Sequence, residues 1–317
     1  MHDKIRAIID QCLEANHSID IRYDEPMSEH TTFKVGGPAD CLLCPEAGSF
    51  PGFSAAVISR ARAANIPVFI LGGGANIVVS DRGIRGIVLD TGAYSGLIAN
   101  DEGVLSFYSG TSMDEAAECA ASLGLSGLEF LSGMPGSIGG AVWMNARAYG
   151  REIADALAWT EVIDFSANGG EFSVTRIKTG AGFGYKRSPF QGRDQLILAA
   201  GFNLKPSDAN EIRRAMETNR QDRKSKGHYS FPCAGSAFKN SRGFGKPTGQ
   251  IIDELGLCGF SVGGAQIAPF HGNIVINTGG AAAADILSLM NEVAARVKTL
   301  AGFILEPEIL FVGEWGE

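Results

Sequence analysis

Two glycine-rich segments in the first half of the chain, Leu71-Gly-Gly-Gly-Ala-Asn76 and Leu131-Ser-Gly-Met-Pro-Gly-Ser-Ile-Gly-Gly-Ala141, restrict its fold more than any other feature. Without a β-carbon, backbone N–H groups approach a ligand that any other residue would repel. The first segment follows the apolar run Val68-Phe-Ile-Leu71, so it reads as a turn after a short buried strand. Such a turn either cradles phosphate or serves as a tight strand connection. It lacks the GxGxxG spacing and no helical pattern begins at once, which disfavours a Rossmann site. In the second segment Pro135 rigidifies one turn and leaves amides accessible beside Ser137. Two phosphate-competent loops suggest a diphosphate, most economically the pyrophosphate of a dinucleotide held by backbone donors; two unrelated structural turns are the alternative.

A chain of 317 residues has room for two or three compact domains and a buried cofactor. Ile5, Ile8, Ile9, Cys12 and Leu13 recur at helical spacing, and an α/β rhythm follows: a helix from Phe53, strands at Val68–Leu71 and Gly86–Leu89, a strand at Val104–Tyr108 and a helix at Asp114–Leu123. Gly133 to Gly140 holds too many glycines for regular structure to be expected. The pattern turns β-rich after Arg147, with runs at Trp159–Phe165 and Leu196–Phe202, and Pro206-Ser207 starts a helix over Ala209–Arg223. Ile286, Leu289, Met290, Val293, Val297 and Leu300 form the apolar stripe of a last helix. The main boundary is expected near Pro206, giving regions 1–205 and 206–317.

A formal charge of −8 argues against a nucleic-acid surface, which needs clustered Lys and Arg. No apolar run approaches the roughly twenty residues of a membrane span, so no membrane partner is expected. The opening MHDKIRAIIDQCLEA has no apolar signal segment, and six scattered cysteines fit a reduced, cytoplasmic compartment. Cys41 and Cys44 form a lone CxxC in what reads as extended chain, where the two point to opposite faces, so no metal site is expected.

His30-Thr-Thr-Phe-Lys-Val-Gly-Gly-Pro-Ala39, the Leu71–Asn76 turn with Val79-Ser-Asp81, and Gly124 to Asn145 resemble, in order and spacing, the flavin-domain motifs of the UDP-N-acetylenolpyruvoylglucosamine reductase (MurB) family. Phe183-Gly-Tyr-Lys-Arg-Ser-Pro-Phe190, Ala234-Gly-Ser-Ala-Phe-Lys-Asn240, Gly249-Gln-Ile-Ile-Asp253, Val262-Gly-Gly-Ala-Gln266 and Leu305-Glu-Pro-Glu308 resemble its substrate-domain motifs. The likeness is to the shorter subtype, since no insertion carries the extra tyrosine loop. It implies an α+β protein: an FAD-binding fold of the vanillyl-alcohol oxidase type, with two α/β subdomains within 1–205, plus a C-terminal α+β substrate domain over 206–317. It also implies that NADPH reduces FAD and that reduced FAD delivers hydride to a UDP-sugar substrate, UDP-N-acetylglucosamine enolpyruvate.

The resemblance assigns FAD contacts to Gly72, Gly73, Gly74, Ala75, Asn76, Met134, Pro135, Gly136, Ser137, Gly140 and Asn145. It makes Ser236 the proton donor and Glu308 the acid acting at the substrate carboxylate, with Tyr185, Arg187, Lys239, Asn240 and His271 as substrate contacts. The family usually has arginine directly after the tyrosine; here Lys186 takes that post, keeping charge without the bidentate fork, unless Arg187 reaches it. Leu310 replaces a commonly basic residue, and Arg147 stands where glycine is usual, which raises the question of backbone strain. A flavin oxidase of the same fold and a non-catalytic nucleotide-binding relative are the other readings. Ser236, Glu308 and Lys186 argue for the reductase, because oxidising an alcohol needs no acid placed to protonate an enolate.

Overall fold

The computed structural model describes residues 1–13, 18–101, 103–166 and 172–316. The chain divides into two units, and the division is not the single cut expected near Pro206. The first unit comprises residues 1–24, 40–73 and 86–221; the second comprises 25–39, 74–85 and 222–317. Two early segments thus belong with the C-terminal part. Their apolar side chains Phe33, Val35 and Val78 complete its core, a long-range pairing that local periodicity does not encode.

In the first unit, helix α1 (His2–Cys12) buries Ile5, Ile8, Ile9 and Cys12, whereas Leu13 lies outside it and is exposed. With α2 (Phe50–Ala63) it shares a core with a four-stranded sheet ordered Ile19–Pro26, Pro38–Pro45, Ile84–Asp90, Val68–Leu71. The last two strands run parallel. A five-stranded sheet, ordered Ser173–Lys178, Leu157–Asp164, Gln195–Asn203, Val104–Tyr108, Leu97–Asp101, packs with α3 (Met113–Ser122) around a second core. Ser112 and Glu115 close a capping box on α3, which stops the chain fraying where it leaves the sheet.

The expectation of irregular chain over Gly133–Gly140 is corrected at its end: α4 runs Ile138–Met144, so Gly139 and Gly140 are helical. Ser137 caps it, accepting the Gly140 N–H at 3.3 Å. A β-carbon on Gly139 would lie 2.8 Å from Ser109 Cβ, so close packing against the sheet selects glycine there in spite of its poor helix propensity. Helix α5 (Ala209–Ser225) follows the last strand of the sheet.

The second unit builds a four-stranded sheet ordered Cys233–Ser236, Ile274–Asn277, Ala265–Ile267, Ser261–Val262 with helices α6 (Thr248–Glu254) and α7 (Ala283–Ala301). Strand Leu310–Val312 pairs parallel to Ile77–Val79. Ile286, Leu289, Met290, Val293 and Val297 of α7 are buried as expected, but Leu300 is exposed at the helix end. Asp81, part of the Val79-Ser-Asp81 motif, accepts the N–H groups of Ala283 and Ala284 at 2.8 and 2.9 Å and so caps α7 from a distant part of the chain. Cys41 is buried in its strand and Cys44 half-buried, and neither is in a disulfide. Among the described residues no group of His, Cys, Asp and Glu could hold a metal, and no helix is long and apolar enough to cross a membrane.

Candidate active site

Within the first unit the two glycine-rich loops meet backbone to backbone. A β-carbon on Gly73 would lie 2.6 Å from Gly136 Cα, and one on Gly72 2.6 Å from Ser137 Oγ. Gly73, Pro135 and Gly140 are exposed, while Gly72, Met134 and Gly136 are half-buried. The glycines thus let the two loops pack backbone against backbone, with Gly73, Pro135 and Gly140 left at the surface, an arrangement in which amides of both loops can serve a diphosphate such as that of FAD. The second loop is held by Met113 N–H donating to Gly136 O (3.0 Å), Ile138 N–H to Thr111 O (2.8 Å) and Gly139 N–H to Ser109 O (2.7 Å).

Asp114 and Arg220, which the sequence reading missed, fasten the same loop. Asp114 accepts the Gly133 N–H at 2.7 Å and an Arg220 Nη2 hydrogen bond at 2.7 Å, and Arg220 also reaches Glu118. Partial burial would raise the Asp114 carboxyl, but the hydrogen bonds from Arg220 and Gly133 outweigh it and hold the pKa below the usual range. No local pattern marks them, since they lie on different helices far apart in the chain.

Gly74, Ala75 and Asn76 belong to the second unit. Gly74 is buried with φ +60, and a β-carbon there would collide with the His30 carbonyl. Asn76 donates from Nδ2 to the Glu308 carbonyl at 3.2 Å, and its own carbonyl accepts the Leu310 N–H at 3.0 Å. Its amide is thus engaged with the chain segment that carries Glu308, just before the strand Leu310–Val312. Leu310, where a basic residue is common, begins that strand and is exposed.

Asn145 ends α4 as its C-cap. It is fully buried at φ +47; its Nδ2 donates to Gly184 O at 2.8 Å and its Oδ1 accepts the Ala154 N–H at 3.0 Å. Its side-chain amide is therefore spent on the backbone of the fold. Gly184 and Arg187 exchange both backbone hydrogen bonds at 3.0 Å, closing a two-residue turn that presents Tyr185 and Lys186. Tyr185 and Arg187 are exposed, Lys186 is half-buried, and the Arg147 guanidinium lies 5.8 Å from the Tyr185 ring centroid. The strain expected at Arg147 does not arise: it sits in a short strand, and the positive φ values fall on Asn145, Tyr149 and Gly150 instead.

In the second unit Ser236 ends its strand after an irregularity at Gly235, whose φ of +73 suits glycine. Ser236, Asn240 and His271 line one cavity of about 380 Å³, with Gly249, Gln250 and Asn273. The next residue, Ala237, accepts the Glu308 N–H at 2.8 Å, and Phe238 bridges to Pro307, so Ser236 and Glu308 lie on neighbouring chain segments. Glu308 is 6% exposed. Asn273, unremarkable in the sequence, fixes this segment: it accepts the Phe238 N–H at 2.9 Å and donates to the Phe238 carbonyl at 2.8 Å. Lys239 meets the exposed Glu306 at 3.4 Å, and Asn240 Oδ1 accepts the Thr248 N–H at 2.8 Å.

His271 accepts the Asn273 N–H on Nδ1 at 3.1 Å, so the neutral ring carries its proton on Nε2. Burial, aided by the Lys226 charge, lowers its pKa. His228, with its ring centroid 6.2 Å away, is pushed down to about 4 by burial first, then by Arg223, His271 and Lys226. A histidine pKa depressed on folding favours the folded state above the unfolded value and loses that contribution as pH falls toward the folded value. Unfolding scans should therefore show stability falling by on the order of 1–3 kcal/mol between about pH 6.5 and about pH 4, and His228→Gln should reduce that loss. A His228→Gln profile superimposable on the wild type would reject this assignment.

The FAD binding domain family profile matches residues 54–174, so the first unit carries the fold of a flavoprotein. The profile for the UDP-N-acetylenolpyruvoylglucosamine reductase C-terminal domain matches residues 227–312. The chain is 38% identical over 309 residues to the UDP-N-acetylenolpyruvoylglucosamine reductase of Treponema denticola, covering 93% of this chain and 94% of that one. It is also 38% identical over 307 residues to that of Caldanaerobacter subterraneus subsp. tengcongensis, covering 97% and 98%. The crystal structure of the Thermus caldophilus reductase superposes with a TM-score of 0.72 at 32% identity, covering 93% of this chain and 99% of the other. The chain belongs to the UDP-N-acetylenolpyruvoylglucosamine reductase family.

Proposed function

We propose that this protein reduces UDP-N-acetylglucosamine enolpyruvate to UDP-N-acetylmuramate, with NADPH as hydride source, in the synthesis of peptidoglycan precursors. The observation that carries the reading is the cavity lined by Ser236, Asn240 and His271, with Glu308 hydrogen-bonded to the residue next to Ser236. FAD, when bound at the loops of Gly72–Gly73 and Met134–Ser137, supplies hydride transfer from NADPH to the enolpyruvyl double bond. Hydride arriving at one carbon leaves carbanion character beside the substrate carboxylate, and the chain must supply an acid and positive charge. Ser236 provides the proton. A serine hydroxyl is a weak acid, so the charge of Lys186 and the carboxyl of Glu308 are assigned to the substrate carboxylate, where they ease the change of charge.

Lys239 and Asn240 bind the substrate diphosphate. The exposed Lys239–Glu306 pair is weak enough to be exchanged for a phosphate. His271, neutral with its proton on Nε2, donates to the sugar or enolpyruvyl group, and Tyr185 and Arg187 contact the substrate beside Lys186. Anaerobic mixing of NADPH-reduced, FAD-loaded protein with UDP-N-acetylglucosamine enolpyruvate tests the reading. Flavin absorbance should recover on mixing; a flavin that stays reduced while oxygen restores it would point to an oxidase instead.

A further inference from the structure

We infer that Asn145 and Gln191 are positioning residues for Lys186, acting through the far end of the helix that begins at the second glycine loop. The inference deepens the proposed function and rests on the reading of Lys186 as the basic group at the substrate. Lys186 has φ +54. A non-glycine residue in that conformation is disfavoured, so its surroundings must hold it there.

The holding contacts are few and specific. Asn145 Nδ2 donates to the carbonyl of Gly184 at 2.8 Å, on one side of the turn. Gln191 Nε2 donates to the carbonyl of Lys186 itself at 3.2 Å and to that of Trp143 at 3.0 Å. Ser188 Oγ donates to the same Trp143 carbonyl at 2.6 Å. Both ends of the Lys186 turn are therefore tied to the C-terminal end of α4, at Trp143 and the capping Asn145, and the first residue of that helix follows Gly136 and Ser137. Asn145 is itself left-handed, a conformation asparagine tolerates, and its other amide end is occupied by the Ala154 N–H. A side chain so engaged sets the backbone from which the lysine projects, and positional errors of about 1 Å cost about 10²-fold in catalysis.

The test compares Asn145→Asp, which keeps size and tolerance of positive φ but removes the donor to Gly184, with Gln191→Met, Lys186→Ala and the double variant Asn145→Asp/Lys186→Ala. Each FAD-loaded protein is reduced with NADPH and mixed with UDP-N-acetylglucosamine enolpyruvate under anaerobic stopped flow, and FAD affinity is measured on the apoproteins. The expected result is that Asn145→Asp and Gln191→Met slow substrate-driven reoxidation by about 10- to 10²-fold while NADPH-driven reduction and FAD affinity stay within about twofold. The double variant should be no slower than Lys186→Ala alone, because nothing is left to position. A purely structural role predicts additive losses and would overturn the inference. So would a large loss of FAD affinity in Asn145→Asp, the mark of a direct cofactor contact. If Lys186→Ala slows reoxidation and neither Asn145→Asp nor Gln191→Met does, the inference alone fails. If Lys186→Ala reoxidises normally, the assignment of Lys186 fails and takes the inference with it. Gln191 is only half-buried, so that variant decides the matter should Asn145→Asp not fold.

Discussion

Ser236→Ala is expected to slow reoxidation of the reduced flavin by the enolpyruvyl nucleotide by about 10²- to 10⁴-fold, the range for a lost general acid. NADPH-driven flavin reduction should survive. The asymmetry follows from where Ser236 sits: it lines the cavity with Asn240 and His271 and belongs to the second unit, whereas the glycine-on-glycine cradle belongs to the first. Removing one hydroxyl from a half-buried strand end, with the backbone pairing to Ile274 intact, leaves the fold in place. Stopped-flow traces in which both half-reactions fall together would move Ser236 out of the proton-donor role.

Gly73→Ala is expected to weaken FAD binding by about 10- to 10²-fold, the affinity equivalent of an overpacking cost of about 1–3 kcal/mol. The new methyl group would meet the Gly136 Cα at 2.6 Å, its carbonyl carbon at 2.9 Å and the Ser137 nitrogen at 3.1 Å. All three are backbone atoms, so no side chain can swing aside; the loops must part, and with them the amides proposed to hold the diphosphate. Gly48→Ala is the control, because a β-carbon there meets nothing within 4 Å. Flavin titration of the apoproteins checks both, and an unchanged affinity in Gly73→Ala would place the diphosphate elsewhere.

The two loops illustrate how far local sequence reaches. Their glycines announce close backbone approach, and the structure brings Gly72 and Gly73 against Gly136 and Ser137. Within the same motifs, however, Gly74 turns inward to the His30 carbonyl and Asn76 is engaged with the Glu308 carbonyl. Asn145 likewise spends its amide on Gly184 and Ala154. Motif membership identifies residues that matter to a region without separating those that meet the ligand from those that shape what does. The helix at Ile138–Met144 was missed for a related reason. Propensity counts glycines against a helix, but the closeness of Ser109 to Gly139 is a tertiary demand that overrides it.

From the sequence alone came the elements whose apolar periodicity is local, such as α1 and α7, the close approach of the glycine loops, the family, and Ser236, Glu308 and Lys186 as the set proposed to carry the chemistry. Only the tertiary structure decided that residues 25–39 and 74–85 complete the C-terminal unit, that Asp114 and Arg220 fasten the second loop, and that Asn273 locks the segment after Ser236. The physical reason is the range of the interactions. Side-chain periodicity and glycine conformations act within a few residues of chain, whereas hydrogen bonds between side chains and distant backbone arise only once the fold has brought those segments together.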